Sequence, residues 1–215
     1  MSNKFNIKII MVINNLDIIK ELIDAKENEF YMLQIIHRSK DGATQFDQDG
    51  KKFSNKTIKS YFISSPEYLE YKMKEIIALC ELFNARAYIN LNKKSKKQVA
   101  LKSIETLAHN VAMEDYSGIM SIFESSCGQT GACDKNKTWI VDVDTKDYME
   151  VADVVKAIDQ CEPFDTQKIV AVIPTVHGFH LISHPFNKKK FRELYTKNID
   201  IHDNNPTLLY FKTLD

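Results

Sequence analysis

The chain has 215 residues, 44% of them hydrophobic, and its 29 Lys and Arg balance its 29 Asp and Glu. That length buries a full core as one large domain or two interlocked modules. Zero net charge excludes the global positive field of a dedicated nucleic-acid binder, so any contact with a nucleic acid must be local.

The stretch Met1 to Ile13 holds a short apolar run that Lys8 interrupts, with no small-residue cleavage site after it. No run reaches membrane-spanning length, so the expected location is the cytoplasm and no membrane partner is expected. Asn15-Leu16-Asp17 opens a helical pattern carrying Ile18, Ile19, Leu22 and Ile23, and residues 30–36 read as a buried strand that ends at His37-Arg38-Ser39-Lys40. Lys40-Asp41-Gly42 predicts a turn, and a polar loop from Asp41 to Asn55 leads to a strand over Lys59 to Ile63. Ser65-Pro66-Glu67 starts a long helix with apolar Leu69, Met73, Ile76, Ile77, Leu79 and Phe83. A strand at Ala87 to Leu91 and a helix from about Lys97 to Ser125 follow.

From Thr138 onward the pattern alternates strand, helix, strand, strand, helix, strand. With no Pro-, Ser- or Gly-rich linker, two modules of about 1–137 and 138–215 should form one folding unit.

Chemistry concentrates in the second module. Trp139-Ile140-Val141-Asp142-Val143-Asp144 alternates acids with apolar residues, which in a strand puts both carboxylates on one face. Two like charges there call for a positive counterpart. Mg²⁺ or Mn²⁺ would supply it, and such ions fill their remaining positions with water and phosphate oxygens. The plainer alternative is that Asp144 only caps the helix beginning after Thr145-Lys146-Asp147. Residues 169–175 form a second strand that turns into Gly178-Phe179-His180, where glycine lets backbone come close to a phosphate. His180 and Ile182 aim one way, Phe179 and Leu181 the other. Asp200 and Asp203 are candidates for a third acid, each with a turn-residue alternative beside Asn204-Asn205-Pro206.

Four cysteines are present. Cys127 and Cys133 flank a Gly-containing loop without two further ligands nearby, so structural zinc is disfavoured, and so is a disulfide, because nothing in the sequence suggests secretion. Two basic runs, Lys93, Lys94, Lys96 and Lys97, and Lys188, Lys189, Lys190 with Arg192, read either as solvated helix starts or as local patches for template phosphates.

The series Val141 to Asp144, Gly178-Phe179-His180 and a late acid after Ile199 or Ile201-His202 resembles the three motifs of the archaeo-eukaryotic primase superfamily. Residues 86–95, Arg-Ala-Tyr-Ile-Asn-Leu-Asn-Lys-Lys-Ser, are similar to a strand that phage and plasmid members carry before the first motif. The likeness spans roughly residues 86 to 211. It implies an α/β (α+β) primase-like fold, with an N-terminal α/β module packed on a C-terminal RRM-like module. It also implies that Asp142 and Asp144 bind Mg²⁺ or Mn²⁺, that Asp203 or Asp200 completes the set, and that His180, with Gly178, contacts the nucleotide's phosphates. Arg38 and Arg86, at strand edges, are candidates facing the cleft, with surface ion pairing as the alternative. The partners implied are nucleoside triphosphates, a single-stranded or primed DNA template and a separately encoded helicase. Two other classes stay open: a metal-dependent nuclease or phosphohydrolase using the same acids, and a non-catalytic RRM-like binding module.

Overall fold

A computed structural model of the chain describes residues 11–39, 54–129 and 137–213. The first ten residues, the turn at Lys40-Asp41-Gly42, most of the loop from Asp41 to Asn55, and Cys133 lie outside the described residues.

The elements run β1 (Val12–Asn14), α1 (Leu16–Leu22), β2 (Glu29–His37), β3 (Lys56–Ile63), α2 (Pro66–Leu82), β4 (Arg86–Ile89), β5 (Lys94–Ser95), α3 (Lys96–Ala112), a 3-10 turn (Ile119–Ser121) and α4 (Ile122–Gln129). They continue with β6 (Trp139–Val143), α5 (Tyr148–Asp159), β7 (Ile169–Pro174), β8 (Phe179–Ser183), α6 (Lys188–Leu194), β9 (Asp200–His202) and β10 (Thr207–Lys212). The fold is mixed α+β, with two sheets whose strand pairs are all antiparallel. The first has the order β1-β10-β4-β2-β3, with β5 pairing β2, and the second has the order β7-β8-β6-β9. In chain order the second sheet is strand, helix, strand, strand, helix, strand, with its first and third strands adjacent at the centre.

Local chemistry sets the ends of the helices. Ser65 accepts the Tyr68 N–H at 3.1 Å and Pro66 opens α2, where a missing N–H costs nothing. Asp147 accepts the Met149 N–H at 2.9 Å and caps α5. The segment expected as one helix from about 97 to 125 is instead broken after Ala112. Glu114 and Gly118 adopt positive φ of 54° and 75°, and Asp115 turns its carboxylate onto the Ser117 N–H at 3.0 Å. Helical periodicity continues through the break, which concealed it.

The last strand also differs from expectation. β10 does not close the second module but lies between β1 and β4 in the first sheet. The fourth strand of the second sheet is β9, three residues and too short to show a period. The chain therefore crosses from the first sheet to the second and back, and the boundary at 138–215 does not separate two sheets.

The two faces of the second sheet have different partners. Val141, Val143, Phe179 and Leu181 pack with Val154 and Ile158 of α5 and Phe191 of α6. Ile140, Ile173 and Ile182 on the other face join Leu33, Ile35, Ala87 and Ile89 of the first sheet in one core. Buried amides pin the same junction. Asn15 donates to the carbonyls of Pro174 and Leu208, both at 2.9 Å, and Asn92 donates to Thr138 O at 2.9 Å while accepting the Thr138 N–H at 2.8 Å. Among the described residues no helix is long and apolar enough to cross a membrane.

Candidate functional site

The face of the second sheet that meets the first sheet carries Ile140, Asp142 and, past the strand end, Asp144. Register lines up a row across three strands: Asp142 stands opposite His180 of β8 on one side and opposite Asp200 of β9 on the other. His202 follows two residues after Asp200 and stands opposite Ile140, so it shares that face. Toward the core the row is apolar; toward the rim it is acidic. Asp142 sits where three hollows meet.

The first hollow, a cleft of about 310 Å³ between the sheets, is lined by Ile36, Arg38, Tyr88, Asp142, His180 and His202 among others. The second, about 110 Å³, joins Asp142, Asp144 and His180 to Arg38, Arg86 and the Thr175–His177 turn. The third, about 230 Å³, lies on the β9 side with Asp142, Asp144, Glu150, Lys197 and Asp200 on its walls. Lys197 is held there by Glu150 at 2.9 Å.

The electrostatics follow from burial and like charge. Burial, then the negative charges of Asp144 and Asp200, push the Asp142 carboxyl above its ordinary range, against the pull of His202 and Arg38. Burial, then His202, holds the His180 imidazole down at about 4, so it is neutral at physiological pH. Its Nε2 lies 3.5 Å from Asp142 Oδ1, a contact of a neutral ring with a carboxylate rather than an ion pair. His180 Nδ1 lies 2.9 Å from the Thr207 hydroxyl of β10. A proton on Nε2 lets Thr207 donate to Nδ1 and leaves Nε2–H for a carboxylate or a phosphate oxygen.

Opposite this row the first sheet supplies cations. Arg38 leaves the end of β2 and donates to the Tyr88 hydroxyl at 3.2 Å. Arg86 opens β4 with only 6% of its surface exposed, its guanidinium 4.3 Å from the Phe211 ring centre.

Several sequence expectations find a different place. Asp203 is turned away from the row and paired with Lys188, so Asp200 is the acid that stands beside Asp142. A three-residue separation in a strand–turn puts the two acids in unrelated directions, which residue type alone does not reveal. Asp144 is not the α5 cap, because Asp147 takes that role.

The close approach at Gly178 is to protein backbone: a Cβ built on it would lie 1.9 Å from Val143 O and 2.6 Å from Thr145 N. Glycine permits close approach of any group, and here the group is the turn that carries Asp144.

The first basic run is half internal, with Lys96 and Lys97 exposed. Lys94 is buried, Lys93 is buried against Asp24 at 3.0 Å and Glu29 at 3.4 Å, and Lys96 donates to Glu27 O. In the second run Lys188 also covers Trp139, 4.1 Å from the ring centre, and Lys190 lies 3.5 Å from Glu193. Cys127 is buried with Phe30, Met32 and Val99.

His202, Thr207 and Tyr88 were passed over in the sequence. For His202 the two-residue spacing from Asp200 was the available signal, and for Tyr88 its place in the 86–95 strand; for Thr207, which comes from the other sheet, there was none.

Asp142 and Asp144 could hold a hard cation, with Asp200 alongside. Among the described residues no three or more His, Cys, Asp or Glu side chains form a group that could hold a metal ion. The donor set therefore does not suit a protein-only cage. It suits an ion that keeps waters and accepts substrate oxygens, for which one or two carboxylates are enough. No protein-family model matches the chain, and no curated protein and no solved structure matches it.

Proposed function

We propose that the protein is a nucleotidyltransferase of the primase-polymerase type, joining nucleotides on a DNA template. One observation carries this reading. A half-buried Asp142 with Asp144 following faces a cleft whose other wall presents Arg38 and Arg86, with a neutral His180 between them, while Asp200 stands opposite Asp142 on the β9 side. Acids to hold a cation, opposed by cations to hold polyphosphate, define a site for a metal–triphosphate substrate. The order of the second sheet, with strand, helix, strand, strand, helix, strand connectivity, supports an RRM-like module as the carrier of those acids.

In this reading Asp142 and Asp144 would hold Mg²⁺ or Mn²⁺, with Asp200 adding negative charge alongside, and the ion when bound would neutralise the triphosphate and make the attacking hydroxyl more acidic. Arg38 and Arg86 bind the triphosphate oxygens on the opposite wall. Thr207 orients the His180 ring, whose Nε2–H donates to a phosphate oxygen without bringing a second charge. Tyr88 holds the Arg38 fork in place. The apolar neighbours Ile36, Ile140 and Pro206 exclude water from the cleft.

The test is extension of a labelled primed template and of an unprimed single strand, with NTPs or dNTPs and Mg²⁺ or Mn²⁺, for the wild type and Asp142→Ala/Asp144→Ala. Cation-dependent longer products that vanish in the double variant are expected. Shortening of the labelled strand would replace the reading with a nuclease. An unchanged strand with a folded protein would replace it with a binding module.

A further inference from the structure

Helix α3 is amphipathic in the wrong direction for a helix that only packs on its own domain. Its inward positions are Val99, Lys102, Ser103, Thr106 and Asn110, of which only Val99 is apolar and only Val99 is fully buried. Steps of three and four residues keep these on one stripe. The opposite stripe is Leu101, Ile104, Leu107 and Val111, exposed at 58%, 63%, 42% and 49%. The segment that follows adds Met113, Tyr116 and Met120, the last 96% exposed.

Scattered surface leucines need no explanation, but a whole apolar helix stripe turned to solvent does. These seven residues together expose roughly 800 Å², about the area that each partner contributes to a standard interface.

The charges at the ends of the stripe indicate the occupant. Lys97 is exposed in the first turn of α3, where the helix dipole disfavours a cation, and Glu114 and Asp115 stand exposed just past its last turn, where the dipole disfavours anions. Helix stability does not account for that polarity. An antiparallel copy of the same helix does: a two-fold axis across the middle of the stripe sets Lys97 of each copy beside the acidic end of the other, while Ile104 and Leu107 meet near the axis. We infer that this face joins two copies of the chain in an isologous dimer through α3.

The test is sedimentation velocity on the full chain from about 1 to about 100 µM, a range that covers the weaker end of standard-size interfaces. Wild type should run at twice the chain mass in the upper part of that range. Ile104→Glu should run at the chain mass throughout, with the melting temperature of wild type at about 1 µM, where the wild-type chain is monomeric, since the side chain it replaces is exposed in the monomer. Lys97→Glu should weaken the dimer at least tenfold, and combining it with Glu114→Lys should restore it. Wild type that stays at the chain mass at every concentration overturns the inference, as does an Ile104→Glu protein that still runs at twice that mass.

Discussion

Replacing Gly178 by alanine probes how the acid row is built. The new Cβ would lie 1.9 Å from Val143 O, 2.6 Å from Thr145 N and 2.9 Å from Thr145 O, all backbone atoms of the turn that holds Asp144. That turn is already tight, closed by Thr145 N–H donating to Val143 O at 2.9 Å. Ordinary contact requires a retreat of about 1.5 Å, which no rotamer change can supply because the obstacle is main chain. Overpacking of this kind costs about 1–3 kcal/mol, or a fall of roughly 3–10 °C in melting temperature for a chain of this size.

The shift moves Asp144 relative to Asp142, so the stabilisation by Mn²⁺ with a nucleotide that the proposed function expects of the wild type should shrink as well. Gly128→Ala is the control. Nothing lies within 4 Å of a Cβ there, and the residue sits inside α4, so alanine should be neutral or stabilising by up to about 1 kcal/mol. Thermal melts with and without the ligand read both effects. A Gly178→Ala protein with wild-type melting temperature and wild-type ligand response would refute the argument that this close approach sets the acids.

Three further outcomes are expected. Asp142→Asn should raise metal-free stability by about 1 kcal/mol, since it removes one of three neighbouring like charges, and should abolish the Mn²⁺-dependent shift; a lower melting temperature in chelator would count against the repulsion. Because the folded His180 titrates at about 4, below its ordinary 6.5, the unfolded chain takes up that proton first as pH falls. Its contribution is therefore whole above pH ~6.5 and is lost toward pH ~4, up to about 3 kcal/mol. Urea melts in EDTA should show the slope in wild type and lose it in His180→Asn. Asp24→Asn/Glu29→Gln removes both carboxylates from the buried Lys93 and should cost about 3 kcal/mol, whereas Lys93→Met, which removes the buried charge itself, should cost less than about 1 kcal/mol by denaturant melts.

The periodic elements were legible from the residues. Apolar spacing and the Ser65-Pro66 start placed α2, alternation placed β6 and β8, and the two-residue step put Asp142 and Asp144 on one face, with His180 facing the same way as Ile182. These are local consequences of backbone geometry, read within one element at a time. What the residues did not reveal was pairing. β9 is too short for a period, β10 could have joined either sheet, and Gly118 hides in a helical pattern.

Which of Asp200 and Asp203 stands beside Asp142 is a register question, and the pairing of β6 with β9 puts Asp200 there. Whether Gly178 serves a ligand or a neighbouring turn, and whether Lys93 faces solvent or two carboxylates, depends on what packs opposite. Identity and spacing dictate which face a side chain occupies. Only the tertiary structure decides what that face meets, because cross-strand neighbours and burial arise from contacts between segments far apart in the chain.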